Sequence, residues 1–346
     1  MNRWLFLSLI GLVLSGCSIY KMQLWHPVEP TSPSTCEVTT LREIAYRVGP
    51  DADSFRNSLD LYVPKGKKNF PVVVLVHGGG WIVGENRCCG LYSNVGDFFA
   101  RHGIAAVMPN YRLSPAVKHP EHARDIARAV AWTKAHIAEH GGRRDRIFLA
   151  GHSAGGHLAA LIGTDESYLQ AEGMTADEIC GVMTVSGVYK IPAGSLEVTF
   201  GGESAKAFRL DEVLPIRGDG ELGRPKTWAE IPLSVNVFAH AFGNDPKVRA
   251  AASPLNHARP GLPPFLLVSA DHDLPTLATM ADEFHTALRA QGVEANLLVA
   301  ENRNHNTVIF RAIDERDPVA RAMLDFVRRH EEPQAGPLQR TTGATR

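Results

Sequence analysis

Apolar positions along this chain fall into short unbroken runs, rich in β-branched residues, that alternate with stretches in which they recur every three or four positions. The runs read as strands near residues 43–48, 58–63, 71–76, 104–108, 146–150, 181–186, 264–270 and 295–300. The periodic stretches predict helices over 91–102, 121–140, 153–163, 276–290 and 317–329. In the longest of these Ile126, Ala129, Val130 and Ile137 set the period. The first two strands precede any helix and are expected to form an antiparallel edge, and the later alternation predicts a mainly parallel sheet.

Two of the runs end in glycine-rich motifs. The run at 146–150 leads into Gly151-His152-Ser153-Ala154-Gly155, and the apolar segment His157-Leu158-Ala159-Ala160-Leu161-Ile162 follows as a helix. Strand, Gly-x-Ser-x-Gly and helix in that order are the pattern of a nucleophile elbow, whose glycines permit a cramped turn around an exposed serine. Taken alone, the five residues are equally a glycine-punctuated turn. The run at 71–76 leads into His77-Gly78-Gly79-Gly80-Trp81. Backbone there can bend and present N–H groups unobstructed, as an oxyanion hole requires.

With Leu59-Asp60-Leu61-Tyr62-Val63-Pro64, Asn110-Tyr111-Arg112-Leu113-Ser114-Pro115 and Ala252-Ser253-Pro254-Leu255, these motifs resemble the α/β-hydrolase carboxylesterases of the hormone-sensitive-lipase-like and related HGGGW esterase groups. The resemblance runs from about residue 59 to 329. It implies an α/β-hydrolase fold with a mostly parallel eight-stranded sheet flanked by helices, Ser153 as nucleophile, and no cofactor. Ala154, after the nucleophile, is expected to give one oxyanion-hole amide. By resemblance Gly79 and Gly80 give the others, while His77 and Trp81 shape that loop. The base is expected late in the chain, at His305. His285 is the weaker alternative, because it lies inside a helical pattern. The acid is expected at Asp273, whose spacing through Leu274-Pro275 to Gly292 matches the relatives. Asp271 is the competitor, with a loop-capping role if Asp273 is the acid, and Glu301 is a remote third choice. His152 is expected to point away from the serine and His157 to pack. Arg112 and Asp125 match positions that hold loops in place. Prenylcysteine methylesterase and formamidase-type relatives share the glycine stretch. An amidase using the same residues, or a non-catalytic surface-binding protein on this fold, therefore stays open beside the esterase.

Charge and composition narrow the picture. A net charge of −1 with scattered Lys and Arg suggests no phosphate-tracking surface, so no nucleic-acid partner is expected. His119, Glu121, His122 and Asp125 gather near a predicted helix start without a His-Glu-x-x-His pattern. The acids there are read as complementing the helix dipole rather than holding a metal. No linker or low-complexity tract interrupts the central region, so residues 41–330 are read as one catalytic domain and 331–346 as a tail. An insertion at about 190–250, with Trp228, Phe238 and Phe242, is expected to overhang the serine as a lid. Its aromatics line a pocket or form a small core of their own.

Residues 1–16 have a basic start, an apolar stretch too short to span a bilayer comfortably, and small residues before Cys17. They are read as a signal peptide. Leu14-Ser15-Gly16-Cys17 is similar to a bacterial lipobox, which implies cleavage before Cys17 and lipid on it. A plain secretory signal and an uncleaved anchor are the alternatives. Ser18 resembles the residue that follows the cysteine in outer-membrane-directed lipoproteins, so the expected location is exported and membrane-anchored, with 17–40 as a tether. Cys36, Cys88, Cys89 and Cys180 remain. Adjacent Cys88 and Cys89 are too close for an unstrained bridge, so Cys36 or Cys180 pairs with one of them, or no bridge forms.

Overall fold

The computed structural model describes residues 36–192, 198–200, 233–235 and 237–331. In chain order the strands are β1 (Val38–Ala45), β2 (Ser58–Pro64), β3 (Phe70–Val76), β4 (Ala105–Pro109), β5 (Gly142–His152), β6 (Ile179–Val185), β7 (Val198–Phe200), β8 (Leu233–Val235), β9 (Phe265–His272) and β10 (Ala295–Asn304). The helices are α1 (Leu91–Arg101), α2 (Glu121–His136), α3 (Ala154–Thr164), α4 (Ser167–Gln170), α5 (Val237–Phe242), α6 (Pro246–Ala251), α7 (Leu277–Ala290), α8 (Thr307–Phe310) and α9 (Pro318–His330).

Eight strands form one sheet in the order β1-β2-β4-β3-β5-β6-β9-β10. From β4 to β10 every pairing is parallel, whereas β2 runs antiparallel to both β1 and β4. The reversal therefore belongs to β2 alone, since β1 shares the sense of β4. This is the α/β-hydrolase fold.

Continuous apolar strands follow from burial on both faces. Along β3, Val72, Val74 and Val76 join one core while Val73 and Leu75 join the other. Along β9, Phe265 and Leu267 part from Leu266 and Val268 in the same way. Period-2 alternation thus feeds two cores with one run. The first core is closed by Ile126 and Val130 of α2, Leu158 of α3 and Phe284 of α7. The second is closed by Phe98 and Phe99 of α1 and Met323 and Phe326 of α9. Helix α9 starts where expected, because Asp317 caps the amides of Val319 and Ala320 and Pro318 takes the first helical position.

The edge strand departs from the expected 43–48. Strand β1 begins earlier, at Val38, and ends at Ala45, with a register shift between Leu41 and Ile44. Glu43 at that shift has φ 57°, and its amide donates to the Asp60 carboxylate at 3.0 Å instead of to the ladder. The bulge interrupts the alternation that would have marked the strand.

Residues 1–35 lie outside the described part, and with them the expected signal peptide, Cys17 and most of the expected tether; so do 332–346. Among the described residues no helix is long and apolar enough to cross a membrane. Trp228 and most of the expected lid also lie outside. What is described there is the two-stranded antiparallel pair β7 and β8, with α5 and α6. Cys36 and Cys180 are free thiols facing backbone carbonyls of Ala100 and Asp145 respectively, so of the two alternatives the structure has the one in which neither of them is bridged.

Candidate active site

The expected nucleophile, glycine loop, acid and base all sit beyond the carboxyl ends of parallel strands, where an open α/β sheet leaves a crevice. Ser153 follows β5, the glycine loop follows β3, Asp273 follows β9 and His305 follows β10.

Ser153 occupies φ 55°, ψ −121°, a strained conformation for a non-glycine residue, and caps α3. Its amide donates to the Val185 carbonyl at 2.9 Å at the end of β6. The flanking glycines are required by close approach. A Cβ on Gly155 would lie 2.2 Å from the Val76 carbonyl oxygen, and one on Gly151 would lie 2.2 Å from the Gly155 carbonyl oxygen. Helix α3 is thereby pressed against the exit of β3, next to the glycine loop. That loop folds on itself, with the amides of Ile82 and Val83 donating to the Gly79 carbonyl at 3.1 and 3.0 Å. Gly79 has φ 122°, and a side chain there would collide with the Val83 carbonyl at 2.0 Å. Gly80, at φ 59°, has Val237 of α5 beside it.

His305 faces both ways. Its Nε2 lies 2.9 Å from Ser153 Oγ and its Nδ1 lies 2.8 Å from Asp273 Oδ1. A carboxylate accepts, so the hydrogen of the neutral ring is on Nδ1, which leaves Nε2 to accept from the serine hydroxyl. The Asp273 side chain is 1% exposed and that of His305 15%. Burial pushes the Asp273 carboxyl up, but the His305 ring, the Ser186 hydroxyl at 2.5 Å and the Leu274 amide at 2.8 Å outweigh it. The group stays below the usual carboxylate range.

Asp271 is turned elsewhere. Its two oxygens accept the amides of Asn302 and Arg303 at 2.7 and 2.9 Å. Those amides belong to a register shift between Ala300 and Asn304 in the pairing of β10 with β9. The carboxylate satisfies donors that the ladder leaves over, and they hold it well below its usual range. Asn304 completes the approach to His305, its Oδ1 accepting the amides of Asn306 and Thr307 at 3.1 and 2.9 Å.

The remaining candidates lie around this centre. His285 is on α7 with Nε2 at 3.2 Å from the Ala295 carbonyl, and Glu301 is exposed on β10. His157 donates from Nε2 to the Ala252 carbonyl at 2.7 Å. Buried Trp81 packs edge-on against His157 and Phe242, and it lies 5.8 Å from Phe238, centroid to centroid. Phe238 and Phe242 thus belong to a core behind the glycine loop. His77 stacks on Tyr111 at 4.5 Å. Near the start of α2, Asp125 grips the Arg112 guanidinium through both oxygens at 2.8 Å. Glu121 adds a third contact, and His122 pairs with the Ser114 hydroxyl at 3.1 Å. These acids therefore hold the loop after β4. Among the described residues no cluster of three His, Cys, Asp or Glu could hold a metal ion.

Ser186, Tyr92 and His152 were not read from the sequence as parts of this site. Ser186 ends β6, beside the strand that bears Asp273, and that adjacency is the only signal that could have marked it. His152 does not bond to the serine side chain; its Nε2 lies 2.7 Å from the His305 carbonyl oxygen.

Known proteins bear on this arrangement. The chain is 26% identical over 327 residues to Esterase LipQ of Mycobacterium tuberculosis, an alignment covering 88% of this chain and 69% of LipQ. It is 26% identical over 265 residues to the probable isoprenylcysteine alpha-carbonyl methylesterase ICMEL1 of Arabidopsis thaliana, covering 75% of this chain and 50% of that protein. Its fold matches esterase B of Lactobacillus rhamnosis, inhibited by a tributyrin phosphonate, with TM-score 0.66, 18% identity and coverage of 96% and 97%. The family model BD-FAE matches residues 59–288. On that match the chain belongs to the BD-FAE family, as a carboxylic ester hydrolase, a serine hydrolase on the α/β-hydrolase fold.

Proposed function

We propose that Ser153 attacks an ester carbonyl and carries the acyl group, with His305 as the general base and Asp273 holding its ring. The Ser153–His305–Asp273 chain of 2.9 and 2.8 Å carries this reading. As the C–O bond forms, the serine proton passes to His305 Nε2, and the adjacent carboxylate stabilises the resulting imidazolium. The amides of Gly79, Gly80 and Ala154 receive the charge that develops on the carbonyl oxygen. Each such donor is typically worth about 10²- to 10³-fold in rate. Collapse returns the proton to the leaving alcohol. Water then attacks the acyl-enzyme by the same route, releasing the carboxylic acid and free Ser153.

The substrate in this proposal is a small-molecule ester, taken under an insertion at about 190–250. Cleavage before Cys17 and lipid on that residue would tether the catalytic domain to a membrane, on the exported side.

The test is hydrolysis of a p-nitrophenyl ester series from acetate to octanoate, with matched anilides run in parallel. Ester turnover at least about 10³-fold above Ser153→Ala supports the reading. Preference for the anilides turns it to an amidase, and full activity of Ser153→Ala removes the serine from the mechanism. For the anchor, labelling with an alkyne fatty acid in a bacterial host separates wild type from Cys17→Ala. Equal labelling of the two excludes Cys17.

A further inference from the structure

A relay of three hydrogen bonds joins the glycine loop to the loop that carries His305. The Gly78 amide donates to the Tyr92 hydroxyl at 2.8 Å, that oxygen lies 2.8 Å from His152 Nδ1, and His152 Nε2 lies 2.7 Å from the His305 carbonyl oxygen. One arrangement of hydrogens satisfies all three. A carbonyl only accepts, so Nε2 bears the hydrogen. Burial, helped by the His305 ring beside it, pushes the His152 pKa down to about 3, and the ring is neutral. Its Nδ1 is then an acceptor, the Tyr92 hydroxyl must donate to it, and the lone pair of that hydroxyl takes the Gly78 amide.

The engagement of His152 exceeds what burial alone brings. His77, His122 and His157 are also buried, and each leaves one ring nitrogen without a partner among the described residues. His152 uses both. Phe310 of α8 braces the relay, with ring centroids 5.2 Å from Tyr92 and 5.8 Å from His152. Each end of the relay is one bond or one residue from a reacting group. His152 precedes Ser153, Gly78 precedes the two loop glycines, and the accepting carbonyl belongs to His305 itself.

We propose that His152 and Tyr92 are positioning residues that lock the His305 backbone, the serine elbow and the oxyanion loop into one register. The proposal rests on the serine-esterase reading above. Without the relay the base and the oxyanion amides drift relative to the serine, and a misplacement of about 1 Å costs on the order of 10²-fold in rate.

The test is steady-state hydrolysis of p-nitrophenyl butyrate by Tyr92→Phe, His152→Leu, His152→Gln and the Tyr92→Phe/His152→Leu double variant. The melting temperature of each is measured alongside. Tyr92→Phe keeps the ring and loses only the hydroxyl. It and His152→Leu are expected to lose about 10- to 100-fold in kcat with KM within about threefold. The double variant is expected to fall no further than the worse single one, because the relay acts as a unit. Gln keeps an N–H for the His305 carbonyl, so His152→Gln should recover part of the loss. Multiplicative losses, a loss carried by KM, or His152→Gln no better than His152→Leu would overturn the proposal. Should His152→Leu fail to fold, wild-type kcat in folded Tyr92→Phe is enough to overturn it. Ser153→Ala measured beside these separates the two claims. Activity in that variant defeats the esterase reading itself, whereas its inactivity with an unimpaired Tyr92→Phe defeats only the positioning roles.

Discussion

Asp271 and Asp273 stand two residues apart at the end of one strand, yet Asp273 meets the imidazole of His305 at 2.8 Å while Asp271 meets the backbone amides of Asn302 and Arg303. Within a strand they would share a face. Strand β9 ends at His272, and the chain turns between them. Asp273→Asn is expected to lower kcat by about 10³-fold or more with KM little changed, because the amide no longer fixes the tautomer that the serine requires. Asp271→Asn is expected to keep kcat within about tenfold and to lower the thermal midpoint, as it weakens the brace under β10. Kinetics and melting curves of the two variants give the check, and the reverse pattern would exchange their roles.

Close approach, rather than conformational freedom, explains the second glycine of the elbow. Gly155→Ala puts a methyl group 2.2 Å from the Val76 carbonyl and 2.5 Å from that of His77. It is expected to cost about 3 kcal/mol or more by urea unfolding. Gly173→Ala, at φ 73° with nothing within 4 Å, is expected to cost about 1 kcal/mol. Similar costs at the two sites would contradict the packing of α3 against β3.

Buried imidazoles make the fold sensitive to mild acid. Burial pushes the pKa of His77 down to about 4 and those of His122, His152 and His157 down to about 3. Unfolded histidine titrates near 6.5, so below that pH the unfolded chain takes up protons that the native rings refuse. Their contribution is whole above about pH 6.5. It is lost as pH falls, at up to about 1.4 kcal/mol per pH unit for each ring, until the native rings protonate near pH 3 to 4. Urea midpoints at pH 7.5, 6.5 and 5.5 should therefore decline. His157→Gln, which keeps a donor for the Ala252 carbonyl, should decline less steeply. A flat profile over this range would contradict neutral buried rings.

Much of this was legible beforehand for a physical reason. Strand segments buried on both faces have no choice but to be apolar, so β3, the part of β5 from Ile147 and the start of β9 announce themselves. The polar, partly exposed start of β5 at 142–145 does not. Asp317-Pro318 marks the start of α9 equally well, through capping chemistry local to the sequence. Strand β1 was misplaced because the bulge at Glu43 breaks its alternation. Ser153 carries its own motif in the two glycines. Ser186 carries none, since its hydroxyl reaches Asp273 only after β6 and β9 have paired. The partner of His152 was equally hidden, because the His305 carbonyl is 153 residues away in sequence. The choice between Asp271 and Asp273 turned on where one strand stops, a boundary that local pattern leaves open.

The identity of the nucleophile is tested most directly by trapping it. The purified protein is treated with a p-nitrophenyl alkylphosphonate, and the adduct is located by peptide mapping with mass spectrometry, in wild type and in His305→Ala. The account predicts one adduct per chain, on Ser153, formed at least about 10²-fold more slowly without the His305 base. An adduct on another residue, or no adduct on a folded and active wild-type protein, would contradict it.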